Sequence, residues 1–140
     1  MKTYTLLLAA LCGLAASVVV PAYGQAGEVT VRVPFSFMLE NKAYPAGQYA
    51  FSSGKDNITL HDSDGTPVAM ILANHVSGRH SGKTGQVVFE CYVEECFLSQ
   101  VWIPGQDDGR QLLRSRQETE VAAKQSGKYM ALLGTRLQTK

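Results

Sequence analysis

A chain of 140 residues with 45% hydrophobic and 18% charged side chains, and 13 Lys and Arg against 12 Asp and Glu, has the length of one domain at roughly 100 to 200 residues each. Its balance of apolar and charged residues is that of an ordinary globular protein, which excludes a disordered chain or a coiled coil. Nucleic acid is excluded as an expected partner too, because the sequence carries no basic stripe to neutralise phosphates.

The first segment reads as an address. Lys2 precedes an apolar run from Leu6 to Val20, interrupted only by Cys12, Gly13 and Ser17, and Pro21 ends it just before Ala22-Tyr23-Gly24. Small side chains at the third and first positions before a cut predict a signal peptide over residues 1–24 and a single mature domain over 25–140, with cleavage after Ala26 as the alternative. The run falls short of the roughly 20 apolar residues that a membrane-spanning helix needs. Cys12 follows Leu11 inside the run, whereas a lipid-bearing cysteine follows a small residue at its end. No stable membrane anchor is therefore expected after cleavage, and the expected location is periplasmic or secreted.

The mature chain opens on strict alternation. Val29, Val31, Val33, Phe35, Phe37 and Leu39 share one face, against Thr30, Arg32, Pro34, Ser36, Met38 and Glu40 on the other, a period of two that predicts a β-strand. Pro34 cannot donate to a ladder, so this strand is expected at a sheet edge or divided by a bulge. Asn41-Lys42 and Pro45-Ala46-Gly47 read as turns. Strands follow at Gln48 to Ser52 and Asn57 to His61, joined by Ser53-Gly54-Lys55-Asp56, and Asp62-Ser63-Asp64-Gly65 turns the chain into Pro67 to Asn74. There Val68, Met70 and Leu72 alternate with Ala69, Ile71 and Ala73, which predicts burial on both faces. Ser77 to Gly85 is polar and glycine-rich, a loop.

Cys91 and Cys96 are the only cysteines of the mature chain. In an oxidising compartment an even count predicts a disulfide. A hairpin of Gln86 to Tyr92 with Cys96 to Ile103 sets Cys91 opposite Cys96 and Phe89 opposite Leu98, with Trp102 on the same face. A redox pair uses Cys-x-x-Cys at a helix start, and a zinc site needs four ligands; neither matches. Pro104 to Gly109 ends the strand. Ser115-Arg116-Gln117-Glu118 has the reciprocal capping pattern of a helix start, with Glu120 and Lys124 spaced to pair and Gly127 placed to stop the helix. Its apolar face, chiefly Val121 and Ala122, predicts a surface position. Tyr129 to Leu133 completes the chain as a last strand. The expected fold is mainly β: a single antiparallel β-barrel or sandwich of about seven to eight short strands with one short C-terminal surface helix.

Four segments, Val33-Pro34-Phe35-x-Phe37, Pro45-Ala46-Gly47-x-Tyr49, Phe97-Leu98-x-x-Val101-Trp102 and Gly109-Arg110-x-Leu112-x-x-Ser115-Arg116-x-Glu118, together resemble an uncharacterised family of small exported bacterial β-rich proteins. The resemblance covers most of the mature chain and implies an exported β domain. It supplies no catalytic residue, and Cys91 and Cys96 stand where it implies a polar or aromatic hairpin.

Three chemical readings of the residues compete. His61, Asp62 and Asp64 include the Asp-x-Asp-Gly start of a calcium loop, but Ala73 stands where that loop needs its bidentate Glu, so a turn is expected. His61, His75 and His80 offer three nitrogens for a metal-dependent enzyme, with nothing in the spacing that makes them converge. Arg110, Arg114 and Arg116 form a cationic cluster beside Asp107, Asp108, Glu118 and Glu120, which predicts internal ion pairs. No catalytic residue, metal or cofactor is assigned. The leading expectation is a non-enzymatic exported domain that binds an envelope or extracellular protein partner through its sheet surface, edge strand or loops. The alternative is a small barrel carrying an apolar ligand among Phe35, Phe37, Tyr49, Phe51, Met70 and Trp102.

Overall fold

The computed structural model describes residues 27–78 and 84–134; the leader with both cleavage positions, Cys12 and His80 lie outside them. Among the described residues there are ten strands and one helix: β1 (Glu28–Val33), β2 (Phe37–Leu39), β3 (Lys42–Tyr44), β4 (Gly47–Ser53), β5 (Asn57–His61), β6 (Pro67–Ser77), β7 (Gly85–Cys91), β8 (Cys96–Trp102), β9 (Asp108–Leu112), α1 (Arg116–Ala122) and β10 (Lys128–Gly134). The fold is mainly β as the periodicity predicts, with more strands than expected because the first alternating run is cut in two, β3 begins at Lys42 where Asn41-Lys42 reads as a turn, and β9 carries no alternating signal.

Two antiparallel layers share one strand. β1, β4, β5 and the first half of β6 form one, while the second half of β6 joins β9, β8, β7 and β10 in the other. β6 turns the corner: Pro67 to Leu72 pair with β5, and Ala73 to Ser77 pair with β9, the usual way for a strand to pass between packed sheets. The ladder does not close on itself, so the architecture is sandwich-like and the barrel alternative is set aside. One pair departs from the antiparallel expectation, Met38 of β2 lying parallel to Phe97 of β8.

Pro34 divides the first run as its missing N–H requires. β1 ends at Val33, and β2 restarts at Phe37 to form a hairpin with β3, whose turn places Glu40 in the left-handed region (φ 54°). β1 ends the first layer in ladder terms, but its outer side is not open. β10 packs against it so closely that a Cβ on Gly134 would sit 2.7 Å from the Thr30 carbonyl oxygen.

The interior is filled by the apolar faces of both layers, with Val29, Val33, Phe37, Phe51, Ile58, Leu60, Val87, Phe89 and Val101 fully buried. Phe37 and Phe89 meet edge to face at 5.3 Å, and Tyr49 packs on Phe37 at 5.2 Å while its hydroxyl donates to the Pro45 carbonyl. These aromatic pairs explain why Phe35-x-Phe37 and Pro45-x-x-x-Tyr49 belong together.

Two expectations about faces are corrected. β6 is not buried on both sides: Ile71 and Ala73 face the core, while Met70 and Leu72 are 68% and 73% exposed. Trp102 does not share a face with Leu98. Phe89 pairs with Leu98 as expected, but Val88 pairs with Gln100, leaving Ser99 as an extra residue. This bulge puts Val101 on the core side in place of Trp102, and Trp102 covers Gly109 instead, where a Cβ would lie 2.7 Å from the ring.

Candidate functional site

The cysteine hairpin forms as the spacing predicts. Cys91 and Cys96 are disulfide-bonded with Cα atoms 4.0 Å apart, and Tyr92 N–H donates to the Glu95 carbonyl within the loop.

α1 lies across the outer face of this hairpin. Gln117 donates to Glu95, and the Val93 N–H donates to Gln125. Only half of the predicted capping box is made: Ser115 Oγ accepts from the Glu118 N–H at 3.1 Å, while the Glu118 carboxyl turns inward to Glu90. Glu118 and Glu90 are 4% and 6% exposed, and Arg114 joins them, its Nη2 lying 2.9 and 3.1 Å from the two Glu90 oxygens and its Nε 3.9 Å from Glu118. Two buried carboxyls facing a single guanidinium cannot both ionise cheaply. Burial first, and then the charge of Glu90, push the Glu118 carboxyl up to about 7, with Arg114 opposing them and hydrogen bonding to Glu90 adding to the rise. A neutral Glu118 shares its proton with the Glu90 carboxylate, and that carboxylate holds Arg114 more firmly charged than usual. The Tyr92 hydroxyl is buried beside them without a hydrogen-bond partner among the described residues. Its pKa is pushed up to about 12 by burial and then by the two glutamates.

Gly127 does not stop the helix, which ends at Ala122 with Ala123 as its cap. Its role is close approach, since a Cβ there would stand 2.8 Å from Glu90 Cγ and Oε1. Glu120 pairs with Arg116 at 3.2 Å in place of the expected Lys124.

The three arginines thus do not form one cationic patch; each has its own carboxylate. Arg110 is buried, bonded to Asp108 at 2.7 Å and through Nε and Nη2 to the Gly54 carbonyl, so it ties β9 to the turn between β4 and β5. His61 bonds Ser52 and Gly65, His75 bonds Asp108, and the β5–β6 register puts these two histidines at opposite ends of their strands. Asp62 Oδ1 accepts from the Asp64 and Thr66 N–H groups, which makes the Asp-x-Asp-Gly segment a turn. The residues considered for an apolar cavity are split, with Phe37, Tyr49 and Phe51 in the core but Met70 and Trp102 outside it.

Beside the carboxyl cluster opens a groove of about 470 Å³ between β6, the β2–β3 hairpin and the start of α1, bordered by Met38, Met70, Leu72, Phe97, Leu113 and Arg114. Met70, Leu72 and Leu113 are each about two-thirds or more exposed on its rim. Two signals for this site are present in the sequence. Glu90 lies between Val88 and Tyr92 on one strand face, which marks a carboxylate among apolar neighbours. The second apolar face of β6 called for a cover, and the described residues provide none. Comparison with known proteins finds no matching family, no matching curated protein and no matching solved structure.

Proposed function

We propose that the mature chain is a non-enzymatic exported domain that binds a protein partner on the groove between β6, the β2–β3 hairpin and α1. One observation carries this reading: Met70, Leu72 and Leu113 border one groove while remaining 68%, 73% and 69% exposed. Large apolar side chains grouped in this way mark interaction surfaces on soluble domains. The leader-like segment over 1–24 and the disulfide support export, to the periplasm or beyond the cell. The polar cluster beneath the groove serves as its rigid floor, because Arg114, Glu90 and Glu118 lock α1 to the hairpin.

A photo-crosslinking residue placed at Leu72 in the exporting host tests the proposal, with exposed Asp64 on the far turn as control. A discrete protein adduct from position 72, absent from position 64 and lost when Met70 and Leu113 are replaced by Gln, is the expected result. Equal adducts from both positions, or none, overturn it.

A further inference from the structure

We infer that the groove accepts its partner by β-strand addition: an extended segment of another protein pairs with the open half-edge of β6, Pro67 to Leu72. This inference rests on the partner-binding reading and adds the chemistry of the partner.

The open edge follows from the corner that β6 makes. Its side away from β5 is covered by β9 only from Ala73 onward; from Pro67 to Leu72 no ladder covers that side among the described residues. The direction of the backbone groups is set by Ala73, whose N–H donates to the Asp56 carbonyl on the β5 side. Alternation along an antiparallel ladder then turns the N–H and C=O of Met70 away from β5 and toward the groove. Across the groove stands β3, which among the described residues pairs with β2 alone, and Glu40, Lys42 and Tyr44 border the same cleft as Val68 and Met70. Two unpaired edges thus face one another with no ladder between them.

Proteins commonly guard such edges with charge, proline or a bulge. Here Pro67 and the irregularity opposite His61 lie at the beginning of the strand, and Met70-Ile71-Leu72 carries neither charge nor proline. The occupant continues the line along which β9 already pairs with β6, so it is a strand antiparallel to β6. A helix spends its backbone groups internally and has none to offer Met70. A second copy would have to bring its own edge past the β2–β3 hairpin that borders the cleft, and the dimer outcome of the test below covers it. The outer side chains of the added strand fall beside Met70 and Leu72, which calls for apolar residues at alternate positions. Its amino-terminal end lies toward Leu113.

The test pans a displayed library of short random peptides on the whole oxidised mature chain. The enriched sequences are expected to alternate apolar and polar residues and to lack proline. An enriched peptide is then synthesised with N-methyl groups on one or the other alternate set of backbone nitrogens. One set weakens binding about tenfold or more, because each lost hydrogen bond at a formed interface leaves a polar group unmet; the other set changes it little. Met70→Pro removes the outward N–H without removing a β5 bond and is expected to weaken peptide binding to the same degree with an unchanged circular dichroism spectrum. Should that variant fail to fold, the two methylated peptides decide the matter on the unaltered protein. Enrichment without alternation, no enrichment, or equal effects of the two methylated sets overturn strand addition. So does a dimer that Met70→Pro dissolves, or a small apolar molecule found in the groove by native mass spectrometry. An adduct at Leu72 together with equal methylation effects refutes strand addition and leaves partner binding standing. Register-specific peptide binding without any adduct shows an edge competent to add a strand but overturns the partner-binding reading, and the inference falls with it.

Discussion

Replacing Glu118 by Gln isolates the proton held beneath α1. The folded state lifts this carboxyl from its ordinary value of 4.5 to about 7, chiefly through burial and the neighbouring Glu90 charge, so the native protein binds the proton more tightly than the unfolded chain does. Stability from this group is therefore fully present below pH 4.5 and is lost as pH rises through about 7. At about 1.36 kcal/mol for each tenfold difference in proton affinity, the loss amounts to about 3 kcal/mol. Gln keeps a neutral donor toward Glu90 and cannot ionise. Urea titrations at a series of pH values should find the variant close to the parent near pH 5 and more stable by about 2 kcal/mol or more at pH 8. Subtracting the two curves removes every other titrating group that the substitution leaves untouched. A difference that stays flat with pH, or that grows toward acid, refutes the account of a shared proton between Glu90 and Glu118.

Three further perturbations address the scaffold. Changing both Cys91 and Cys96 to Ser should cost about 2 kcal/mol, the loop-closure entropy of so short a ring, and leave the folded far-ultraviolet spectrum intact, since the ladder pairing of β7 with β8 does not depend on the bond; a chain that no longer folds contradicts this. Gly127→Ala should destabilise by about 1 to 3 kcal/mol, because the new methyl meets the buried Glu90 side chain, whose carboxylate Arg114 holds in place; a neutral result in thermal unfolding refutes the close-approach role. Arg110→Met should cost about 2 to 3 kcal/mol by leaving the Gly54 carbonyl without its donors. It should also flatten the acid limb of the stability curve: Arg110 first, and then His75, hold Asp108 below its ordinary 3.8, so this stabilisation is present above that pH and disappears as acid protonates the carboxylate. An unchanged acid limb in urea titrations counts against it.

Period-two alternation was enough to locate most of the strands, because a half-buried strand writes its burial directly into the chain. Asn57 to His61 matches β5 in full, and Pro34 divides the first run for a reason internal to its own ring. The hairpin, its disulfide and the Phe89–Leu98 pairing were equally legible, since a loop of known length sets the register. β9 was not. Asp108 to Leu112 carries one apolar residue, and it is a strand because Gly109 lets Trp102 lie over it and because Arg110 finds Asp108 and the Gly54 carbonyl.

The same division holds for the candidate site. Ser115 announces a helix start in any context, because its hydroxyl reaches an N–H three residues on. Whether Glu118 completes a capping box or turns inward depends on Glu90, twenty-eight residues away by residue number, and on a glycine at 127 that lets the chain close over it. Likewise the two apolar faces of Pro67 to Asn74 were visible in the sequence, but not that one would stay uncovered. The change of ladder partner at Leu72–Ala73 is equally invisible there, because it depends on where β9 arrives. Local patterning specifies which residues form strands and which backbone groups a strand turns to each side; only the packing of distant segments settles which of those sides finds a neighbour.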